Sequence, residues 1–247
     1  MTYSFFILCL LLLIPGAVIF AVRKDLRHSM AVVAACAVPF AFTEFLFYPS
    51  YWEPKFLFHL ADKIGFGIED FLFVTGLGAF TSAVYPTVFF LRLQPSGIAP
   101  GSAFFRGGVL IATALLLAAL FALFGVPMIW GCVPIMVLIA AVIVWMRRDL
   151  SAASLWGGVL SAVSYYLMCL GLAAIVPDVF ILNWHAEKFS GIYVTGVPLE
   201  EIGYAFGAGT VAAVFYPFVF SNKFEPTINQ RFRSMKPFSK SGLKTHH

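Results

Sequence analysis

The sequence predicts an all-α integral membrane protein of seven transmembrane helices arranged as a parallel three-plus-one-plus-three internal repeat. Three observations lead there. Hydrophobic residues make up 61% of the chain and charged residues only 11%, against about 25% charged in an average soluble domain. Seven apolar windows have spanning length. Two parts of the chain also fall into one register under a constant offset that lays Glu69 on Glu200.

The windows run Phe5 to Val22, Met30 to Tyr48, Ile68 to Leu91, Phe104 to Phe124, Pro127 to Met146, Ser154 to Val176 and Pro198 to Phe220. Each holds roughly 18 to 24 mostly apolar residues, and at 1.5 Å per residue that length crosses a hydrocarbon core of about 30 Å. The first window is read as a span and not as a secretory signal, because Arg23, Lys24 and Arg27 follow it and no basic residue precedes it. Cys9, Cys36, Cys132 and Cys169 fall in or at the start of apolar windows without CxxC spacing, as small buried hydrophobes would.

Alternate crossings place Arg23, Lys24, Arg27, Arg92, Arg106, Arg147, Arg148 and the six cations of the C-terminal segment on one side. Only Lys55, Lys63 and Lys188 lie on the other. Positive residues mark the cytoplasmic face, so the N-terminus is expected outside and the C-terminus in the cytoplasm, in the cytoplasmic membrane if the source is bacterial. The net charge of +4 then reflects topology and anionic headgroups, not a nucleic-acid partner. The basic tail, residues 223–247, is expected to be a disordered arm.

The repeat rests on more than composition. Arg23-Lys24-Asp25-Leu26 after the first window is echoed by Arg147-Arg148-Asp149-Leu150 after the fifth. Under the same offset Asp70 meets Glu201, Gly76 meets Gly207, Gly78 meets Gly209, and Tyr85-Pro86 meets Tyr216-Pro217. Residues 1–92 and 127–222 are therefore read as equivalent three-helix units, with 93–126 as the linking helix. The copies sit an even number of crossings apart and point the same way, about a pseudo-two-fold axis along the membrane normal.

Glu69-Asp70 and Glu200-Glu201 are the candidate catalytic residues, since a carboxylate within or at the edge of a span is costly and marks function. Neighbours on a helix diverge by about 100°, so one of each pair should face the interior, and Glu44 can reach the same layer. The competing reading is a pair of acidic caps at a membrane interface. With 28 Phe, 9 Tyr and 5 Trp, aromatic faces are available to stabilise a carbocation, or simply to pack and to form an interfacial belt. Phe73, Tyr204, Trp52, Trp184 and Pro198, with Glu44, are the candidate substrate-binding positions.

Other signals carry less. Gly207 to Ala212 matches a GxGxxA fingerprint, but inside a helix and after no strand, so close helix packing is the better account. His59 and His185 lack metal-ligand spacing, and no metal or cofactor is expected. A retinal photoreceptor is excluded, because no lysine lies between Pro198 and Phe220.

The segments IEDFLF from Ile68 and PLEEIGYAF from Pro198, each preceded by a loop tryptophan, resemble the lycopene cyclase domain of heterodimeric and fused carotenoid cyclases. The chain looks like the fused two-domain form. Pro198, Glu69, Asp70, Glu200 and Glu201 carry over by motif, whereas Gly67 stands where that family usually has proline. The resemblance implies an acid-catalysed, non-redox ring closure on an apolar isoprenoid drawn from the bilayer. Glu69 and Glu200 are the expected acid and base, and Glu200→Gln is expected to abolish product. A small-solute transporter of three-plus-one-plus-three layout and a non-catalytic isoprenoid-binding protein are the alternatives. The sequence sets no oligomeric state.

Overall fold

The computed structural model describes residues 3–97 and 102–227. Arg231, Arg233, Lys236, Lys240 and Lys244, counted above on the basic side, lie outside the described residues. Seven long helices follow one another: α1 (Ser4–Val22), α2 (Arg27–Ala41), α3 (Ile68–Val88), α4 (Ala103–Leu123), α5 (Met128–Met146), α6 (Ser151–Ile175) and α7 (Leu199–Val219). Single 3-10 turns extend α2 at both ends, Lys24–Leu26 and Phe42–Leu46. All seven are long and apolar enough to cross a membrane, and the chain is an integral membrane protein.

Lipid tails are as apolar as leucine, so helices in a bilayer gain little from burying apolar surface and associate through close packing at small residues. Burial follows that rule. Over half of the hydrophobic window of α3 and of α7 is buried, against 17% of α4, so α3 and α7 form the centre and α4 lies at the rim. Gly76 faces Leu12 and Leu13 of α1, and Gly78 faces Val33 and Ala37 of α2. On the other side Gly157 and Gly158 of α6 sit against Gly209, Ala213 and Thr210 of α7, and the Ser154 hydroxyl donates to the Thr210 carbonyl at 3.1 Å.

Two sequence expectations need correction at one end of the bundle. The third span was expected to run to Leu91, but α3 stops at Val88 and Leu91–Pro95 forms strand β1. The segment from Lys223 was expected to be a disordered arm, yet strand β4 (Asn222–Pro226) pairs with β1 antiparallel, Arg92 opposite Glu225. Phe90 and Ser221 turn the chain out of α3 and α7 with positive φ, 51° and 53°. The two exits then run side by side, where each supplies the backbone partners that the other lacks outside a helix. Between them, in chain order, the two-residue strands β2 (Tyr193–Val194) and β3 (Val197–Pro198) make a hairpin ahead of α7. Its turn residues Thr195 and Gly196 both have positive φ, 48° and 84°, the backbone that a two-residue hairpin loop of the primed type requires.

Arginines close the same end as β1 and β4. Arg23 donates to Asp25 at 2.7 Å and to the carbonyls of Pro86, at 2.9 Å, and Leu91. Arg147 makes the matching set, Asp149 at 2.7 Å and the Asn222 carbonyl at 2.8 Å. Arg106 donates to the Phe218 carbonyl at 3.0 Å and to Ser221 Oγ at 3.1 Å. Carbonyls at helix C-termini lack intrahelical donors, and a nearby cation both bonds them and suits the helix dipole. Arg147→Leu is expected to cost about 2 kcal/mol, the range for hydrogen bonds to a charged group. Arg148→Leu, at an exposed position, should cost almost nothing; thermal unfolding in detergent compares the two.

At the opposite end the two long loops meet. Trp52 and Trp184 form an antiparallel bridge. The Glu53 N–H donates to the Asn183 carbonyl and the His185 N–H to the Tyr51 carbonyl, both at 2.8 Å.

Candidate active site

The first turn of α3 sets the site. Its N-cap, Gly67, donates its N–H to Asp70 Oδ2 at 2.6 Å, which folds the Asp70 side chain back over the helix start in the manner of a capping box. Glu69, one residue earlier, points another way: its Oε1 accepts the Leu57 N–H at 2.6 Å, and its Oε2 is buried without a hydrogen-bond partner. The first turn of α7 repeats the division. Glu200 Oε1 accepts the Ser190 N–H at 2.9 Å while its Oε2 has no partner, and Glu201 faces the bundle.

Glu201 is held by three donors, each at 2.9 Å: the Tyr51 and Trp184 side chains on Oε1 and the Tyr165 hydroxyl on Oε2. They come from three elements, the loop after α2, the loop before α7, and α6. Tyr51 is buried, and burial and the neighbouring Glu201 charge push its hydroxyl well above the ordinary tyrosine value, so it keeps the proton it donates.

Glu44, in the 3-10 turn after α2, is the third interior carboxyl. The Trp52 indole N–H donates to its Oε1 at 2.6 Å, and Glu44 borders the same cavity as Asp70.

Glu44, Asp70 and Glu201 line one cavity of about 60 Å³. Its walls include Phe73 and Tyr204, whose rings stack at 6.1 Å with an interplanar angle of 27°. The cavity shares Phe40, Thr43, Phe47, Val74 and Tyr204 with a larger one of about 190 Å³, lined almost wholly by apolar residues of α2, α3, α4, α5 and α7.

The candidate residues of the sequence thus separate by place. Glu44, Asp70, Glu201, Trp52, Phe73 and Tyr204 line the acid cavity. Glu69 and Glu200, expected as acid and base, do not; they bind loop backbone. Trp184 reaches the cavity only through Glu201, and Pro198 is a buried helix cap. Both tryptophans are buried, at 8% and 1% exposure, so they are not the interfacial belt. Tyr51 and Tyr165 were missed. Neither carries a motif, although the position of Tyr51 beside Trp52 was a usable signal.

Neither a curated protein nor a solved structure matches the chain. Residues 109–219 match the family model described as lycopene cyclase. This stretch begins within α4, continues to the last residue of α7 and covers just under half of the chain. The matched stretch holds Glu200, Glu201 and two of the three donors to Glu201, Tyr165 and Trp184.

Proposed function

We propose that this protein closes a ring on the acyclic end of a carotenoid of the lycopene type, within the membrane and by proton transfer alone. The observation that carries the reading is the single cavity on which Glu44, Asp70 and Glu201 converge, beside a larger apolar cavity with which it shares Phe40, Thr43, Phe47, Val74 and Tyr204 as lining. The lycopene cyclase family match supports a carotenoid cyclase at family level.

In the proposed mechanism Glu44 and Asp70, which border one cavity, share a single proton and act together as the acid. Their shared proton passes to the terminal alkene, whose π pair forms the new C–H bond and leaves a tertiary cation. The next suitably placed double bond gives its π pair to that cation, closing the ring by one C–C bond and moving the positive charge to a ring carbon. Glu201 then takes a proton from the adjacent C–H, and that bond's electrons restore a double bond. One proton enters and one leaves, so product and substrate are isomers. Phe73 and Tyr204 offer ring faces to the cation, an attraction worth about 2 kcal/mol when desolvated. The three donors on Glu201 fix it as an acceptor, and proton relay back to Glu44–Asp70 resets the site.

Glu69 and Glu200 are assigned a positioning role, tying the two loops that deliver Tyr51, Trp52 and Trp184. The matched settings of Glu69 and Glu200, of Arg23 and Arg147, and of the α3 and α7 exits support the parallel three-plus-one-plus-three repeat about an axis between α3 and α7. The carboxylate end is assigned to the outer face by the distribution of Lys and Arg.

Expression in a bacterium that accumulates lycopene tests the reading. Monocyclic or bicyclic carotene should appear on chromatography of the pigments; unchanged lycopene with the protein in the membrane would overturn it.

A further inference from the structure

The larger cavity has a shape and an opening that say how a substrate would reach the acids. Five helices surround it in the order α2, α3, α7, α5, α4. The contacts between α2 and α3, α3 and α7, and α7 and α5 are extensive, and α4 packs along α5, but α4 and α2 barely touch. The ring is therefore closed on every side except the α2–α4 seam, and α4 and the 3-10 turn extending α2 both carry exposed apolar side chains, Leu116 and Phe45 among them. In a bilayer this seam faces lipid.

Along the helix axis the cavity runs from the acid layer toward the arginine end. Its lining on α7 extends from Tyr204 to Phe215, about 16 Å at 1.5 Å per residue. Three hydroxyl-bearing residues line it: Tyr204 at the acid end, and Thr43 and Thr81, whose hydroxyls are turned back onto the Phe40 and Leu77 carbonyls, both at 2.7 Å. The two threonines offer no donor to an occupant. An apolar slot parallel to the helices, with no charged residue in its lining, suits a stiff, extended hydrocarbon chain better than a charged headgroup.

We infer that the slot is the binding site for the polyene chain of the substrate, which slides in sideways from the bilayer through the α2–α4 seam with only one end and about half its length inside. This rests on the cyclase reading, since the acids at the top of the slot define which end group is presented. A forty-carbon polyene is roughly as long as the hydrocarbon core is thick, about 30 Å, so its far half remains in lipid. The two ends of a symmetrical substrate are consequently handled in separate binding events, and a monocyclic product leaves before the second ring forms.

Native Cys36 lines the slot from α2 and reports on its occupant. In a variant keeping only that cysteine, with Cys9, Cys132 and Cys169 changed to Ala, lycopene-loaded membranes should label with an apolar maleimide about tenfold more slowly than lycopene-free membranes. Ala114→Trp in the same background fills the slot from α4 and should abolish this difference, while Leu116→Trp, on the lipid-facing side of α4 at 61% exposure, should leave it unchanged. Should Ala114→Trp fail to insert, Ala114→Leu gives the same test with less added volume. Equal labelling with and without lycopene in the Cys36-only protein would overturn the slot, and would mean that only bilayer acyl chains occupy it. Protection without any cyclised product would uphold the slot and strike the cyclase reading alone. With turnover, monocyclic carotene should accumulate before bicyclic; simultaneous appearance of both rings would overturn the one-end binding mode.

Discussion

Glu201→Gln is expected to lower ring formation by roughly 10² to 10⁴-fold, the usual contribution of a positioned acid or base, while Glu200→Gln keeps most of the activity. The two residues are adjacent in sequence and differ in what they touch. Glu201 accepts from Tyr51, Trp184 and Tyr165 and borders the cavity. An amide there has one acceptor oxygen and an NH₂ facing hydroxyl and indole donors, and it cannot take a proton from the substrate. Glu200 only accepts the Ser190 N–H, which the oxygen of a glutamine accepts as well. Pigment chromatography from lycopene-accumulating cells, normalised to protein in the membrane, reads both variants. The reverse ranking would return the catalytic role to Glu200 and remove Glu201 from the proposed mechanism.

That contrast marks where the sequence stopped being legible. The acidic pairs stand out because a carboxylate at a span edge is costly, and their duplication singled out the layer to which Glu44 also belongs. Which member of a pair faces inward depends on the rotation of the first helical turn. Here that rotation is set by the local Gly67 cap on Asp70 and by loop N–H groups at Leu57 and Ser190, which lie in the preceding loops and which no helix-start pattern encodes. The seven spans were readable from apolar length alone. The β1–β4 pair was not, because Leu91-Arg92-Leu93-Gln94-Pro95 and Asn222-Lys223-Phe224-Glu225-Pro226 become strands only once α3 and α7 bring their exits together. Tyr165, and Tyr51 apart from its place beside Trp52, were illegible for a related reason. A tyrosine in or near an apolar window looks like any other aromatic until the fold sets a carboxylate against its hydroxyl.

Gly209→Ala is expected to cost at least about 3 kcal/mol, the upper part of the usual range for overpacking, and to take activity with it. A Cβ at Gly209 would lie 2.5 Å from both Cβ and Oγ of Ser161 and would press on the Gly157 carbonyl. Those atoms are helix backbone and a buried side chain stem of α6, with no flexible end to move aside, so the added methyl must push α6 away from α7. The same displacement draws Tyr165 on α6 off the Glu201 carboxylate on α7, where they now meet at 2.9 Å. Gly203→Ala is the control on the same helix: its Cβ would meet only Val133 Cγ2 at 3.9 Å, an ordinary contact, and alanine improves helix propensity. Thermal unfolding in detergent should show a large fall for Gly209→Ala and none for Gly203→Ala. If the two melted together, the α6–α7 contact would be looser than the backbone approach at Gly157 and Gly209 requires, and the anchoring of Glu201 by Tyr165 would lose its structural basis.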